Sequence, residues 1–254
     1  MQHSRDDTLA ALAWQVEMGA DEAIGEAFVD RTKAPPLSPG PTRPALALTA
    51  PEGETDALAA TCPDLPALHA AMEAFEHPLK AGARRCVFAD GNPAARVMIV
   101  GEAPGRNEDI EGKPFVGKGG QLLDRMLAAI GLARDAEDPA KAVYITNIVP
   151  WRPAQNRTPS VAESAAFLPF VLRHIDLIDP AIIVTMGNTP TKALLDTKTG
   201  IMRMRGAWAE ATTPGGARPC LPTLHPAYLL RQPMDKHKAW SDLLALQTRI
   251  EALP

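Results

Sequence analysis

Four short apolar runs limit what this chain can fold into. RVMIVG (96–101), VYITNIV (143–149), AIIVTMG (181–187) and CLPTL (220–224) are compact, largely β-branched stretches that suit buried strands. Helical patterns separate them. Leu68, Met72 and Phe75 suggest a short helix, and CVFADGNPAA follows as a hairpin-like stretch with Asp90-Gly91-Asn92-Pro93 as turn. Gln121 to Gly131 is amphipathic, with Leu122, Leu123, Met126, Leu127 and Ile130 at helical spacing. Thr158-Pro159-Ser160 with Glu163 supplies cap, first-turn proline and capping-box signals for a helix running towards Ile175. Further helices read over about 190–196 and from Asp235 to Leu253. Strands alternating with helices predict an α/β fold: a three-layer α/β/α sandwich around a central, mainly parallel four-stranded sheet. Functional residues in such sheets gather at the carboxyl ends of the strands, here 101–119, 147–157, 187–189 and 224–232.

The N-terminal part reads differently. A helix fits about residues 6–28, with Leu9, Leu12, Val16 and Ile24 as apolar contacts. Eight prolines between Lys33 and Pro66 then remove backbone donors and block regular structure, which predicts a linker. The expected organisation is a helical segment over 1–32, a linker over 33–66 and a catalytic domain over 67–254. No apolar run approaches the roughly 20 residues of a membrane span. The acidic N-terminus lacks the marks of a signal peptide, so a cytoplasmic protein is expected. Cys62, Cys86 and Cys220 are too few and too scattered for a disulfide scaffold, and three thiols alone cannot form a four-thiolate metal site. A net charge of −4 argues against a generally basic nucleic-acid coat while allowing a local basic rim.

GEAPGRNEDIEGKPFVGKGGQLLDRML (101–127) carries the most information. It has neither GxGxxG nor GxxxxGK[ST], so a dinucleotide or P-loop reading has no support, and a small-molecule Rossmann-like enzyme lacks its fingerprint. Glu102, Glu108 and Asp109 in this loop would repel a free phosphate.

Taken with YITNIVPWRPAQNRTP (144–159), TMGNTP (185–190) and LHPAYLLRQP (224–233), this loop resembles the uracil-DNA glycosylases of the family-4 type, over about residues 68 to 250. The resemblance implies flipping of deoxyuridine out of the helix, capture of the base in a pocket, and departure of a uracil anion from an oxocarbenium-like sugar. It implies that Phe115 stacks on the base. Asn147 would donate to uracil O4 and accept from N3–H, a pattern that cytosine inverts. His225 would donate to O2 as charge develops there. Glu102 and Glu108 are both candidates to position or deprotonate water, and Glu108 could instead guard C5 against the methyl group of thymine. Ala103 stands where the related family-1 enzymes have an aspartate. Lys113, Arg157 and Arg231 are candidate DNA contacts, with Arg231 beside Leu229 or Leu230 placed to enter the minor groove. Asp109 reads as a loop cap, and Trp240 as packing.

The pattern breaks in one respect. Most family-4 members hold a [4Fe-4S] cluster on four cysteines, and here the corresponding stretches read AFEHPL (74–79), PWRPA (150–154) and AAFLPF (165–170). Histidine, tryptophan and phenylalanine replace three thiolates, and alanine the fourth. The expectation is a branch without the cluster or any other cofactor, Trp151 and Phe167 filling the vacated volume. The expected protein is a monomer that acts on single- or double-stranded uracil-containing DNA. Two alternatives stay open: a glycosylase for hypoxanthine or xanthine, and a non-catalytic reader of uracil or abasic DNA. For the reader, the N-terminal segment would suit a repair-protein partner.

Overall fold

The structure, a computed structural model, describes residues 54–253. The expected N-terminal helix and the linker up to residue 53 lie outside the described residues. In chain order, α1 (Glu54–Ala60) and α2 (Leu65–Ala74) precede β1 (Asp90–Gly91) and β2 (Val97–Gly101). Then come α3 (Arg106–Glu111), α4 (Lys118–Ala128), β3 (Val143–Asn147), α5 (Val161–Ile178), β4 (Ile182–Met186) and α6 (Asn188–Leu194). The chain continues through α7 (Ile201–Met204), β5 (Ala209–Thr213), β6 (Gly216–Thr223), α8 (Pro226–Arg231) and α9 (Lys236–Glu251).

The sheet has the order β1-β3-β2-β4-β6-β5. Its four central strands are the four apolar runs, and all three pairings among them are parallel. The register sets Gly101 opposite Asn147 and Val100 opposite Thr185, so the carboxyl ends of β2, β3 and β4 come out level. Successive strand residues point to opposite faces. Val97, Ile99, Val143, Ile145, Ile182 and Val184 face one core, shared with Leu123 and Leu127 of α4 and Leu243 and Leu246 of α9. Met98, Val100, Tyr144 and Ile183 face the other, shared with Leu68 and Met72 of α2 and Phe167, Phe170 and Ile175 of α5. Two cores across one sheet make the three-layer sandwich.

Three details differ from the sequence-based expectations. The sheet has six strands, because antiparallel edges flank the parallel four. Asp90–Gly91 does not close a local hairpin but pairs with Tyr144 and Ile145 of β3. β5 is a polar stretch, AEATT, in which only Ala211 and Thr213 are buried, so its sequence gives little strand signal. In addition, the end of the expected linker is folded: α1 packs against α5, and Arg173 of α5 donates to the carbonyl of Cys62 at 2.9 and 2.8 Å. Proline is absent from 52 to 62, which explains why a helix forms there. At α5, Ser160 is the N-cap and Glu163 closes the capping box, which puts Pro159 just outside the helix.

Candidate active site

The level carboxyl ends of the central strands open into a cleft of about 260 Å3. Glu102 and Ala103 follow β2 into it, Asn147 ends β3 inside it, and His225 reaches it two residues after β6. Phe115 forms one wall. Its ring stacks on that of His225, with centroids 5.3 Å apart and planes at 26°. A flat, π-bearing wall of this kind suits a planar heterocycle.

The wall is held in a strained backbone. Phe115 has φ +52°, an uncommon conformation for a bulky residue. Two features fix it. Arg134 donates from Nη1 to the carbonyl of Pro114 (3.0 Å) and from Nη2 to that of Phe115 (2.9 Å). Gly120 lies so close that a Cβ there would fall 1.7 Å from the Phe115 carbonyl oxygen. Gly101 plays a similar part on the cleft floor. A Cβ at that position would meet Asn147 Oδ1 at 2.3 Å and the Phe115 ring at 2.6 Å. Glycine thus lets the amide and the aromatic ring converge.

Asn147 is 3% exposed, and its side-chain amide has no hydrogen-bond partner among the described residues. Its amide opens into the cleft rather than being sealed in the core, so it is available to a ligand that both donates and accepts.

His225 caps the N-terminus of α8, where its Nδ1 accepts from the backbone N–H of Ala227 at 3.1 Å. Burial, reinforced by the charge of Arg231 and opposed by that of Glu108, brings its pKa down to about 4. The ring is therefore neutral at physiological pH. With Nδ1 accepting, the single proton resides on Nε2, which becomes a neutral donor.

The two glutamates differ. Both oxygens of Glu108 are engaged: Oε2 accepts from Gly105 N at 3.1 Å, and Oε1 from Val116 N at 3.1 Å and Gly117 N at 2.9 Å. Glu108 thereby ties the start of α3 to the segment that carries Phe115. Glu102 accepts one hydrogen bond, from Thr189 Oγ1 to Oε2 at 2.6 Å, and its Oε1 has no partner among the described residues.

The rim is less basic than its residue count suggests. Lys113 pairs with Asp90 at 3.2 Å. Arg157 forms a two-pronged pair with Glu163 at 2.8 and 2.6 Å, which holds the Glu163 carboxyl at about 2. Arg205 is committed to buried Asp242. Lys118 and Arg231 are exposed and have no carboxylate partner among the described residues. Asp109 is buried and accepts from Arg84 N at 2.7 Å, a structural tie rather than a cleft group. Trp240 is 44% exposed, so its packing is partial.

The family model described as the uracil DNA glycosylase superfamily matches residues 88–244. The chain belongs to this superfamily. Among curated proteins, it is 41% identical to the Type-4 uracil-DNA glycosylase of Thermotoga maritima, over 61% of this chain and 76% of that one. It is 38% identical to the Type-4 uracil-DNA glycosylase of Saccharolobus solfataricus, over 67% of this chain and 79% of the other. A third relative of the same description, from Pyrobaculum aerophilum, is 35% identical over 71% of this chain and 91% of its own.

Aromatic and aliphatic packing fills the stretches where the resemblance to the family-4 type implies cluster ligands. His77 stacks edge-on against Phe167, with centroids 4.8 Å apart, and Phe75 contacts Phe167 at 5.7 Å. His77 Nδ1 accepts from Leu79 N at 3.3 Å, and Trp151 is 6% exposed beneath the Lys80 ammonium. The three cysteines are free and buried, and burial pushes the Cys86 and Cys220 thiols up to about 12. His77, Trp151 and Phe167 carry no thiol, and three free cysteines cannot supply the four thiolates of such a cluster, so these side chains do not fit it. Among the described residues, no group of three or more histidine, cysteine, aspartate or glutamate side chains could hold a metal ion.

Sequence reasoning missed Arg134 and Thr189. Arg134 lies in a polar loop after α4 with no motif to mark it. Thr189 lies within TMGNTP (185–190), but its contact to Glu102 depends on how β2 and β4 pair.

Proposed function

We propose that this protein hydrolyses the N-glycosidic bond of deoxyuridine in DNA and leaves an abasic site. The observation that carries this reading is the unpaired amide of Asn147, buried beside the Phe115–His225 stack. A flipped uracil on Phe115 offers O4 to the amide N–H2 and N3–H to the amide oxygen. Thymine carries the same edge, so a methyl-excluding wall at C5 is needed as well. As the C1′–N1 bond breaks, its electron pair leaves with the base, and the charge grows on O2. The neutral Nε2–H of His225 donates to that oxygen, and the hydrogen bond at Nδ1 holds the ring ready for it. Water adds to C1′ and loses its proton. Glu102, with one oxygen free, takes that proton, whereas Glu108 is the frame of the loop. The uracil anion is protonated later by solvent.

Duplex binding falls to exposed Arg231 and Lys118, with smaller contributions from Lys113 and Arg157, which would have to leave their carboxylate partners. The aromatic packing of His77 and Phe167 supports a protein that works without an iron–sulfur cluster.

The test is release of uracil, hypoxanthine or xanthine from labelled single- and double-stranded oligonucleotides, scored by alkali-labile cleavage and by gel retardation. Cleavage at uracil supports the proposal. Preference for hypoxanthine reassigns the base, and retardation without cleavage makes the protein a reader. Iron at about four per chain in anaerobically purified protein would overturn the cluster-free reading.

A further inference from the structure

The hydrogen bond from Thr189 to Glu102 joins two elements that are far apart in sequence. Glu102 follows the last residue of β2, and Thr189 lies in the first turn of α6, immediately after β4. β2 and β4 are parallel neighbours with Val100 opposite Thr185, so both side chains emerge at the same edge. Gly187, at φ +97°, turns the chain between strand and helix, and a Cβ at that position would touch the Cβ of His225 at 3.4 Å. The turn that presents Thr189 is thus packed against the residue that faces the leaving base. The floor beneath it is fixed as well, since Thr185 and Thr191 share a buried hydrogen bond of 2.8 Å.

We infer that Thr189 is a positioning residue for hydrolysis: its hydroxyl holds Glu102 Oε2 so that Oε1 faces the attacking water. The inference rests on the proposed role of Glu102. A half-buried glutamate has three rotatable side-chain bonds, and a single short hydrogen bond to one oxygen removes most of that freedom. The hydroxyl donates to Oε2, which leaves the acceptor capacity of Oε1 for water. In the step itself, the water oxygen bonds to C1′, the C1′–N1 pair departs with uracil, and the water proton moves to Oε1. A misplacement of about 1 Å in such a group can cost roughly 100-fold in rate.

The experiment is single-turnover uracil release by the full chain carrying Thr189→Val, Thr189→Ser, Glu102→Gln or the Val/Gln pair. Affinity for uracil-containing duplex and thermal midpoint are measured alongside. Thr189→Val keeps the shape of the side chain and removes the donor. It is expected to slow cleavage roughly tenfold, the scale of one hydrogen bond to a charged group. Affinity and midpoint should stay at parent values, and Thr189→Ser should restore the rate. In the Glu102→Gln background, Thr189→Val should cost nothing further. If Glu102→Gln is slow but Thr189→Val cleaves at the parent rate, or Thr189→Ser fails to rescue, the positioning role is wrong and the role of Glu102 stands. If Glu102→Gln itself cleaves at the parent rate, the assignment of Glu102 fails, and the inference with it. Equal loss in both backgrounds shows that Thr189 acts on something other than the glutamate and overturns the inference.

Discussion

Arg134 donates to the carbonyl oxygen of Phe115 across nineteen residues of sequence, at 2.9 Å. The same guanidinium pairs with Asp90 at 3.1 Å and Asp124 at 2.7 Å, and it donates to Pro114 O at 3.0 Å. It thereby ties an edge strand and α4 to the turn that carries the aromatic wall. Only a planar fork can serve so many acceptors in fixed directions.

Arg134→Ala should therefore act on catalysis as well as on stability. It leaves two buried carbonyls short of a donor and frees a φ +52° phenylalanine to relax. The expected loss is about 1.5–3 kcal/mol of stability, with more than a tenfold drop in single-turnover uracil release. Arg134→Lys should recover less than half of either, since an ammonium cannot reproduce the fork. Denaturant unfolding and quench-flow assays on the same preparations check both. A parent-like rate in Arg134→Ala would show that Phe115 holds its place without the clamp.

How much of this was legible beforehand depends on where the information lies. The strands were readable because Val97–Gly101, Val143–Asn147 and Ile182–Met186 are buried on both faces, which forces continuous apolar runs. β5 was not, because an edge strand with one covered face can be built from Ala-Glu-Ala-Thr-Thr. The cleft residues Glu102, Phe115, Asn147 and His225 sit inside contiguous motifs and line one cleft. The residues that hold them do not: Arg134 and Thr189 act through tertiary contacts, and nothing local marks such a residue. The rim has the same property. Lys113, Arg157 and Arg231 look alike in sequence, and only the fold reveals that carboxylates already pair with the first two.

His225→Ala should reduce single-turnover cleavage about 10²–10³-fold, the typical cost of one donor to a developing oxyanion. Affinity for uracil-containing DNA should persist. Because burial holds the parent imidazole at about 4, the neutral Nε2–H donor is present throughout pH 5–8, and the parent rate should not bend near 6.5. A bend at 6.5 that disappears in His225→Ala would overturn the neutral-donor assignment.

Glu108→Gln and Glu102→Gln should separate a framing residue from a reacting one. An amide in place of the Glu108 carboxylate keeps one acceptor oxygen and sets an NH2 against backbone N–H groups. A stability loss of about 1–3 kcal/mol should accompany slower cleavage. Glu102 supports no backbone donor among the described residues, so Glu102→Gln should lose rate with little change in unfolding midpoint. The reverse pattern would exchange the two roles.

Arg231 lies exposed at the end of α8, beside Leu230, which is 40% exposed. Arg231→Ala should weaken duplex binding and slow cleavage at U·A pairs more than at single-stranded uracil, where no partner strand must be held open. Binding should also fall steeply with added salt despite the −4 net charge, because local phosphate contacts set that slope. Equal losses on both substrates would remove Arg231 from the duplex-opening role.

Stability should fall as pH drops below 6.5, and three histidines give the reason: His174, His225 and His77, whose pKa burial lowers as well. His174 is fully buried between Phe88 and Tyr144, with its Nε2 hydrogen-bonded to the Tyr144 hydroxyl at 2.8 Å. Burial brings its pKa down to about 3, and that of His225 to about 4. The folded chain therefore declines protons that the unfolded chain accepts near 6.5. Linkage makes both of these groups neutral in effect above 6.5 and destabilising as pH falls, each by about 1.4 kcal/mol per pH unit until its folded value is reached. The Glu163 carboxyl, held near 2 by Arg157, adds a loss of the same sign only below about 4.5. Urea unfolding between pH 6.5 and 4.5 thus reads mainly the histidines, with buried Asp242, whose pKa burial raises, acting in the opposite sense. His174→Gln keeps an acceptor for the Tyr144 hydroxyl and cannot titrate, so the slope of stability against pH should drop by one proton's worth. A parent protein equally stable at pH 6.5 and 4.5 would show that none of the three imidazoles is as shielded as its packing implies.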